Sequence, residues 1–363
     1  MFRNRLASCE IRHRDTEKKK PWKNDACHEQ GQSRRSRCVS VSLWLTLRDD
    51  YTRRTKLQSS RLRSIKSDVL ACSQSIKKRV AESNYQREIE VATKLARVAG
   101  GILLTHYYSP FLVEQKVNAL DELEEVTAAD REANELIVSH LREAFPDDGI
   151  LAEESADTER RLSKDRVWLI DPMDGTKNFI ARDGDFAVQI GLAFRGESVA
   201  GVVYQPVRDV LYRAVRYGGA WIEAADKPAE QMLVSARTQP GEMVLASSRS
   251  HRSPRMEHVV QAFRFKDELR RGSVGVKIGL IAEQKADIYL HLSPSTKQWD
   301  TCAPEIILAE AGGRSTDLFG QPLRYNGIRI DNRNGIVATN GAAHEMVIEN
   351  LKPLLKEFGR VPA

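Results

Sequence analysis

Two aspartates three positions apart, Asp171 and Asp174, lie in the segment Trp-Leu-Ile-Asp-Pro-Met-Asp-Gly-Thr. The apolar residues before Asp171 predict a strand, and Pro172 and Gly175 predict a sharp turn where that strand ends. Such a turn can direct both carboxylates at one point, and carboxylate oxygens are ligands that hard divalent cations prefer. Because an ordinary surface turn has the same composition, this segment alone leaves both interpretations open.

Other acids occur in suggestive settings elsewhere in the chain. Glu153 and Glu154 follow a strand-like triplet, Asp130 lies in the first turn of a predicted helix, and Asp300 follows Trp299 at the start of another. Each alone is typical of a helix cap or a solvated charge. Taken together they predict a site for several metal ions, because Mg²⁺ takes a few carboxylate ligands and keeps water in its remaining positions.

Helical and strand-like patterns alternate from Tyr85 onward. An amphipathic helix begins there, and a second begins near Thr127, where Thr-Ala-Ala-Asp offers a capping hydroxyl and an acid. Strand patterns separated by turn residues fill residues 150–222. Beyond a break near residue 225, helices and strands alternate again. The pattern predicts layers of helix and sheet in an α+β or α/β fold.

Positive charge is concentrated in residues 1–84, which contain 21 Lys/Arg and 9 Asp/Glu, whereas the remainder contains 35 and 41. The net charge of +6 therefore comes from the first segment and does not indicate a nucleic-acid-binding body. Because this segment has little apolar periodicity, we predict a disordered, basic N-terminal extension over residues 1–84. A targeting role is disfavoured by its acids.

The cysteines and the hydropathy argue against two classes of protein. Four of the five cysteines lie in residues 1–84, so a disulfide-stapled secreted domain is disfavoured, and their spacings match no C-x₂-C zinc pattern. No apolar run approaches the roughly 18 residues that a membrane-spanning helix needs. We expect no membrane partner.

The acids occur in four blocks whose order and spacing resemble the inositol monophosphatase superfamily. The resemblance spans about 270 residues, and its strongest element is Asp-Pro-x-Asp-Gly-Thr. One departure is Ala152, where many members have Gly. The resemblance implies a layered α-β-α-β-α sandwich of the inositol monophosphatase and fructose-1,6-bisphosphatase type, with a metal-binding subdomain over 85–225 and a substrate-binding subdomain over 226–358. The blocks are Val126-Thr-Ala-Ala-Asp130, Ala152-Glu-Glu-Ser155, Asp171-Pro-Met-Asp-Gly-Thr176 and Gln298-Trp-Asp-Thr301.

The same resemblance implies a cofactor of two or three Mg²⁺ ions and a ligand set. One ion would be held by Glu153, Asp171 and the backbone carbonyl of Met173, and another by Asp171, Asp174 and Asp300. Because Met173 would contribute only its carbonyl, we expect its side chain to vary freely.

The chemistry that the resemblance implies is phosphate ester hydrolysis without a phosphoenzyme. Thr176, hydrogen-bonded to Asp130, would orient and deprotonate a metal-activated water. The N–H groups of Gly175 and Thr176 would hold the phosphate. Lithium sensitivity is a further property of the family.

Four features resemble the 3′(2′),5′-bisphosphate nucleotidase branch, which converts adenosine 3′,5′-bisphosphate to AMP. That branch more often has Glu at the position of Asn178. The features are Gly175-Thr-Lys-Asn-Phe179 followed by Arg182-Asp-Gly-Asp-Phe186, Ser247-Ser-Arg-Ser-His251, Arg270-Arg-Gly-Ser-Val-Gly-Val-Lys277 and Lys297-Gln-Trp-Asp-Thr-Cys-Ala-Pro-Glu305.

A substrate with two phosphates needs a cationic group away from the metals, which Lys277, Arg249 and His251 could supply. Each of these residues is also compatible with a surface position. The expected set of substrate-binding residues is Gly175, Thr176, Ser248, His251, Gly272, Ser273, Lys277 and Asp300.

Two alternatives remain open at this level. One is an inositol-1-phosphate or related sugar phosphatase, and the other is a weakly catalytic protein that binds a nucleotide or RNA. The intact acids favour an enzyme with a small phosphorylated nucleotide as its substrate and no requirement for nucleic acid. Relatives are usually homodimers, and we expect a cytoplasmic enzyme that clears a by-product of sulfate assimilation.

Overall fold

A computed structural model of the chain describes residues 85–117, 123–225, 227–249 and 253–362. The predicted N-terminal extension over residues 1–84 lies outside this part of the chain. So does His251, one of the expected substrate-binding residues.

The larger sheet has seven strands that follow one another along the chain, in the order β3-β4-β5-β6-β7-β8-β9. Only β3 and β4 are parallel, and the other pairs are antiparallel. Their apolar side chains give β4, β5 and β6 two buried faces, as expected of strands covered by helices on both sides. The strands are β3 (Gly149–Ala152), β4 (Arg166–Asp174), β5 (Ala187–Phe194), β6 (Glu197–Gln205), β7 (Val210–Val215), β8 (Gly219–Ala224) and β9 (Glu230–Met232).

The second sheet is mixed, with the order β11-β10-β12-β14-β13. Strand β10 pairs in parallel with β11 and β12, whereas β14 is antiparallel to β12 and β13. A separate hairpin of β1 (Val113–Val117) and β2 (Leu123–Thr127) precedes both sheets. The strands of the second sheet are β10 (Val244–Ser248), β11 (Asp267–Arg271), β12 (Ile288–His291), β13 (Arg314–Thr316) and β14 (Ile336–Thr339).

Seven α-helices of the described residues complete the layers. Helices α1 and α2 pack on one face of the seven-stranded sheet, and α5 and α6 lie between the two sheets. Helices α4 and α7 share an apolar cluster with the outer face of the five-stranded sheet. The helices are α1 (Gln86–Tyr107), α2 (Ala128–Ala144), α3 (Thr176–Ile180), α4 (Pro254–Phe263), α5 (Val274–Ala282), α6 (Gln298–Glu310) and α7 (His344–Glu357).

This arrangement confirms the predicted α-β-α-β-α layering. It also differs from the sequence expectation in two places that matter for the site. Strand β4 does not end before Asp171 but continues through Asp174 across an irregularity in its pairing with β5. Strand β11, whose residues are mostly charged, was not expected, and it forms an edge of the five-stranded sheet.

Within the described part of the chain, every helix is too short or too polar to cross a membrane.

Candidate active site

A cavity of about 250 Å³ brings together most of the residues that the sequence singled out. One part of its lining consists of carboxylates, here called the acidic side: Glu153, Asp171, Asp174 and Asp300. Another part, here called the Lys277 side, consists of Ser248, Gly272, Lys277 and Tyr289. Met173, Gly175 and Thr176 also line this cavity. Acids separated by more than a hundred residues in sequence therefore share one site.

The end of β4 supplies two carboxylates through a local break in pairing. Asp171 pairs with Gln189 of β5 and Asp174 with Ala187, so four residues of β4 face three of β5. Asp171 Oδ1 accepts a hydrogen bond of 2.9 Å from the backbone N–H of Met173, which fixes its side chain. Gly175 follows with a φ of +105°, a conformation that favours glycine. The chain can thus turn into α3 directly after Asp174.

Asp174 also connects strand β5 with the start of helix α5. Its Oδ2 accepts hydrogen bonds from Gln189 Nε2 of β5 and from Ser273 Oγ and Gly275 N at the start of α5, at 2.5, 2.5 and 2.9 Å. These donors compensate a carboxylate that is almost fully buried. The predicted substrate contact Ser273 therefore has its hydroxyl on Asp174, and it also accepts from Val276 N as the cap of α5.

The acidic side is electrostatically crowded. Burial and the charges of Glu153, Asp174 and Asp300 raise the pKa of Asp171 well above its ordinary value. Burial and the charges of Asp174 and Glu153 do the same to the pKa of Asp300. Burial also raises the pKa of Asp174, although Lys277 opposes that rise. Carboxylates in such a setting need either protons or cations to be stable at neutral pH.

The donor set fits hard divalent cations. Glu153 and Asp171 hydrogen-bond to one another, a contact that two ionised carboxylates cannot keep without a proton or a cation. Oxygen donors of this type, with a backbone carbonyl at Met173 beside them, suit Mg²⁺ rather than a soft metal. Over the described ranges, however, no three His, Cys, Asp or Glu side chains already form a complete ligand set.

Thr176 and Asp130, the predicted catalytic pair, are brought together. Thr176 Oγ1 lies 3.4 Å from both Asp130 Oδ1 and the carbonyl oxygen of Met173. Asp130 is held in place because its Oδ2 accepts bonds of 2.7 Å from the backbone N–H and the hydroxyl of Thr127. Thr127 is also the N-cap of α2, as its position in Thr-Ala-Ala-Asp predicted. The capping interaction thus fixes the acid that faces Thr176.

Lys277 is buried, with 2 % of its surface exposed. Its Nζ donates a hydrogen bond of 2.6 Å to the carbonyl oxygen of Gly272 and lies 5.1 Å from the centre of the Tyr289 ring. Burial lowers the pKa of Lys277 to about 8, while the charges of Asp174, Asp185 and Asp300 act in the opposite direction. A buried ammonium with one neutral acceptor is a group that an anionic ligand would stabilise.

Arg249, another residue that the sequence suggested as a cation for the second phosphate, has different partners from Lys277. Arg249 forms ion pairs of 2.7 Å with Asp183 and Asp185, in the loop after α3. Gly272, which lines the cavity, has no room for a side chain, because a Cβ there would lie 2.2 Å from Asn178 Oδ1. Phe179 is fully buried in an aromatic cluster, as expected of a packing residue.

Several residues of the cavity were not among the expected site residues, although three of them, Lys177, Asn178 and Val274, lie in segments that resemble the nucleotidase branch. These residues are Glu125, Lys177, Asn178, Val274, Tyr289, His291, Ser295 and Thr296. Lys177 and Asn178 directly follow the Asp-Pro-Met-Asp-Gly-Thr block, which could have indicated them. Glu125 lies two residues before Thr127 on β2, and strand alternation places these residues on one face. His291 and Ser295 lie in the segment before α6, where the sequence has no distinctive motif.

The expectation that the side chain of Met173 is free to vary is wrong. Only 1 % of its surface is exposed, and it belongs to the main apolar cluster of the seven-stranded sheet. A polar or much smaller residue there would leave an unfilled or unsatisfied core position directly under the carboxylates.

Comparisons with known proteins agree with this geometry. The sequence profile of the inositol monophosphatase family matches residues 84–356. The 3′(2′),5′-bisphosphate nucleotidase CysQ of Escherichia coli (strain K12) is 36% identical over 242 residues, which are 65% of this chain and 93% of that protein. The inositol-1-monophosphatase of Bacillus subtilis (strain 168) is 28% identical over 275 residues, 74% of this chain and 97% of that protein.

A solved structure gives the same result for the fold. CysQ from Bacteroides thetaiotaomicron, described as a bacterial member of the inositol monophosphatase family, superposes with a TM-score of 0.59 at 32% identity, covering 71% of this chain and 98% of that one. The family match spans most of the chain and includes every acid of the cavity. The chain is a phosphoric monoester hydrolase that belongs to the inositol monophosphatase family.

Proposed function

We propose that this enzyme hydrolyses the 3′-phosphate of adenosine 3′,5′-bisphosphate, giving AMP and phosphate, in a reaction that depends on Mg²⁺. The observation that carries the proposal is the presence of a buried lysine in the same cavity as four carboxylates. The carboxylates suit cations that bind the reacting phosphate, and Lys277 suits a second anionic group on the same substrate.

On the acidic side, Glu153, Asp171 and the carbonyl of Met173 would hold one Mg²⁺, and Asp171, Asp174 and Asp300 another. Bound Mg²⁺ supplies charge stabilisation for the phosphoryl oxygens and lowers the pKa of a coordinated water. The raised pKa values of Asp171 and Asp300 support this assignment, because they reflect repulsion that a cation would remove.

Thr176 and Asp130 would handle the proton of the attacking water. The Thr176 hydroxyl lies between Asp130 Oδ1 and the carbonyl of Met173, so it can donate to either oxygen and accept from a water in the cavity. Its proton would pass to Asp130 while the hydroxyl takes one from the water, which leaves the number of protons unchanged. The Gly175 and Thr176 N–H groups would bind the phosphate oxygens.

On the Lys277 side, the ammonium would bind the 5′-phosphate. Its lowered pKa shows that burial disfavours the charge, and a doubly charged phosphate nearby would restore it. A substrate with one phosphate lacks this additional contact with the ammonium, so the site should prefer the bisphosphate. The identity with the CysQ nucleotidase, 36% against 28% for the inositol-1-monophosphatase, favours the same substrate class.

The substrate proposal is tested by phosphate release from adenosine 3′,5′-bisphosphate and from inositol 1-phosphate under the same conditions, with and without Mg²⁺ and with added Li⁺. We expect the nucleotide to be preferred, activity to require Mg²⁺, and Li⁺ to inhibit. Preference for inositol phosphate would replace the nucleotide assignment with the sugar phosphatase. Absence of turnover of both substrates with Mg²⁺ present would favour a binding protein.

The proposal includes a biological setting that rests on the family resemblance. A cytosolic enzyme of this specificity would clear the bisphosphate left by sulfate assimilation. It would act on a small substrate as a homodimer, with no nucleic acid or membrane required.

A further inference from the structure

Arg249, directly after β10, connects two segments that border the cavity. Its Nη1 and Nη2 lie 2.7 Å from Asp183 Oδ2 and Asp185 Oδ2, in the loop that follows α3. Its backbone N–H donates to the carbonyl oxygen of Arg271 at 3.1 Å, at the end of β11. One residue therefore connects the ends of β10 and β11 with the loop at residues 183–185.

Asp185 has its shortest ion pair in this connection. Its side chain is fully buried, and besides Arg249 it has only the longer contacts with Arg208 at 3.3 Å and Arg271 at 3.9 Å among the ion pairs of the described residues. A buried carboxylate is costly unless it is paired. Without the Arg249 guanidinium, Asp185 would keep only the two longer of these ion pairs, those with Arg208 and Arg271.

Asp183 is compensated by the same guanidinium. Burial acts to raise the pKa of Asp183, but hydrogen bonds from the Asp185 backbone, Asn178 and Arg249 together hold it below its ordinary value. Asn178 Nδ2 donates to Asp183 Oδ2 at 2.7 Å, and Asn178 lines the cavity. The position of a cavity-lining amide thus depends on the acid that Arg249 binds.

The loop also determines where Lys277 lies. The carbonyl oxygen of Asp185 accepts from Ser273 N at 3.2 Å, and it would lie 2.5 Å from a Cβ at Gly272, so the two segments are in direct backbone contact. Gly272 in turn supplies the carbonyl that accepts from Lys277 Nζ. Because these segments are in close contact, a shift of the loop would also move Gly272. The Lys277 ammonium, which is hydrogen-bonded to the Gly272 carbonyl, would then move as well.

We infer that Arg249 is a positioning residue which, by binding Asp183 and Asp185, fixes the Lys277 side of the cavity and so sets the selectivity for a substrate with a second phosphate. Both of its terminal nitrogens are engaged by carboxylates, so it acts through the loop and through Gly272. This inference rests on the proposed function, since it concerns which nucleotide the site selects.

The experiment compares adenosine 3′,5′-bisphosphate with adenosine 3′-monophosphate, which differ only in the 5′-phosphate, as substrates of the full chain with Mg²⁺. In Arg249→Gln we expect the KM for the bisphosphate to rise about tenfold and that for the monophosphate by less than about twofold, because a small misplacement of Lys277 weakens only the second contact. Arg249→Lys, which can keep one ion pair, should recover part of the loss.

Asp183→Asn distinguishes positioning from direct binding of the phosphate by Arg249. If Arg249 acts through the loop, Asp183→Asn raises the bisphosphate KM as well, and the double variant with Arg249→Gln is no worse than the worse single variant. If Arg249 binds the phosphate itself, Asp183→Asn frees the guanidinium and leaves that KM unchanged or lower, which would overturn the inference.

Two further results separate this inference from the proposed function. Absence of nucleotide hydrolysis by the unaltered enzyme would remove the proposed function and the inference with it. Hydrolysis with preference for the bisphosphate, but equal KM changes for both nucleotides in Arg249→Gln, would remove only the inference. If Arg249→Gln does not fold, as judged by thermal unfolding, Arg249→Lys and Asp183→Asn provide the same comparison.

Discussion

The acidic side and the Lys277 side of the cavity bury charge with opposite consequences. On the acidic side, neighbouring carboxylates add to the effect of burial and raise the pKa of Asp171 well above its usual range. On the Lys277 side, burial lowers the pKa of the lysine to about 8, but three aspartates oppose that shift. The carboxylates of the acidic side therefore destabilise one another, whereas the charge of Lys277 is partly compensated by nearby aspartates.

This difference indicates how the two sides should depend on their ligands. The acidic side can hold all its charges only with cations present, so it should respond to Mg²⁺ in the absence of substrate. Lys277 already has anionic neighbours, so its charge should depend less on Mg²⁺. We expect Lys277 to affect mainly the binding of the part of the substrate that lies away from the metals. Metal dependence and substrate selectivity would then be separable by mutation.

The largest effect is expected for Asp171→Asn on the acidic side. We expect kcat to fall by about 1,000-fold or more, because the variant loses a ligand shared by both proposed cations. Without Mg²⁺ its melting temperature should be equal to or higher than that of the unaltered protein, since the neutral amide removes repulsion. Steady-state kinetics and thermal unfolding with and without Mg²⁺ measure both effects.

The control for this variant is Asp165→Asn, which removes an exposed acid that pairs with Arg195 on the surface. It should change neither the activity nor the response of the melting temperature to Mg²⁺. Full activity in Asp171→Asn would exclude the metal assignment, and a lower melting temperature without Mg²⁺ would show that its neighbours do not repel it.

A smaller and more selective effect is expected for Lys277→Met, which removes the charge and keeps most of the volume. The KM for the bisphosphate should rise about 10- to 100-fold, the value of a hydrogen bond to a charged group, and that for the 3′-monophosphate much less. Lys285→Met, which removes an exposed lysine paired with Glu283, is the matched control. Equal effects on both nucleotides would exclude Lys277 as the second-phosphate contact.

The lowered pKa of Lys277 gives a pH dependence with a defined sign. Below about pH 8 the ammonium is charged and binds the 5′-phosphate, and above it the charge is lost, so selectivity for the bisphosphate over the 3′-monophosphate should fall about tenfold by pH 9. The substrate phosphates titrate near pH 6, outside this window. A ratio of kcat/KM values that stays constant from pH 7 to 9 would contradict this assignment.

The same pKa affects stability in the opposite direction. Because the pKa of Lys277 is lower in the folded than in the unfolded state, the unfolded state binds more protons between about pH 8 and 10.5. The contribution of Lys277 to stability should therefore improve as the pH rises through that window. Lys277→Met should not show this improvement.

The two sides also differ in how far the sequence could predict them. The four carboxylates of the acidic side were predicted because each belongs to a short motif that resembles the family, and the Thr127 cap because its own segment determines its geometry. The pairing of Arg249 with Asp183 and Asp185 was not, because it joins segments more than 60 residues apart. Sequence spacing gives no information on such a contact until the two sheets are placed together.

Two predictions about single strands were wrong for a related reason. The segment Asp267–Arg271 lacks apolar alternation, and it is a strand because β10 offers it a parallel partner. Strand β4 was expected to end before Asp171, since Pro172 and Gly175 predict a turn there, but a bulge allows pairing to resume at Asp174. Met173 lies in that bulge, and the motif itself gives no indication that its side chain is buried.

The smallest effect on activity is expected for Glu305, a buried acid on α6 outside the cavity, whose pKa is raised mainly by burial. Burial raises its pKa to about 7, and a hydrogen bond with Tyr325 and the charge of Arg216 oppose the rise. The folded state therefore binds more protons than the unfolded state between about pH 4.5 and 7. This contribution to stability is present below pH 4.5 and is lost as the pH rises through 7.

Glu305→Gln should accordingly be close to the unaltered protein in melting temperature at pH 5 and more stable at pH 8, by at most about 3 kcal/mol. Thermal unfolding across this range measures the difference, and Glu345→Gln, an exposed acid paired with Arg314, is the control. The difference should not depend on Mg²⁺, whereas that of Asp171→Asn should. If Mg²⁺ leaves both differences unchanged, the raised pKa values of the acidic side reflect burial alone, and the contrast between the two sides of the cavity is lost.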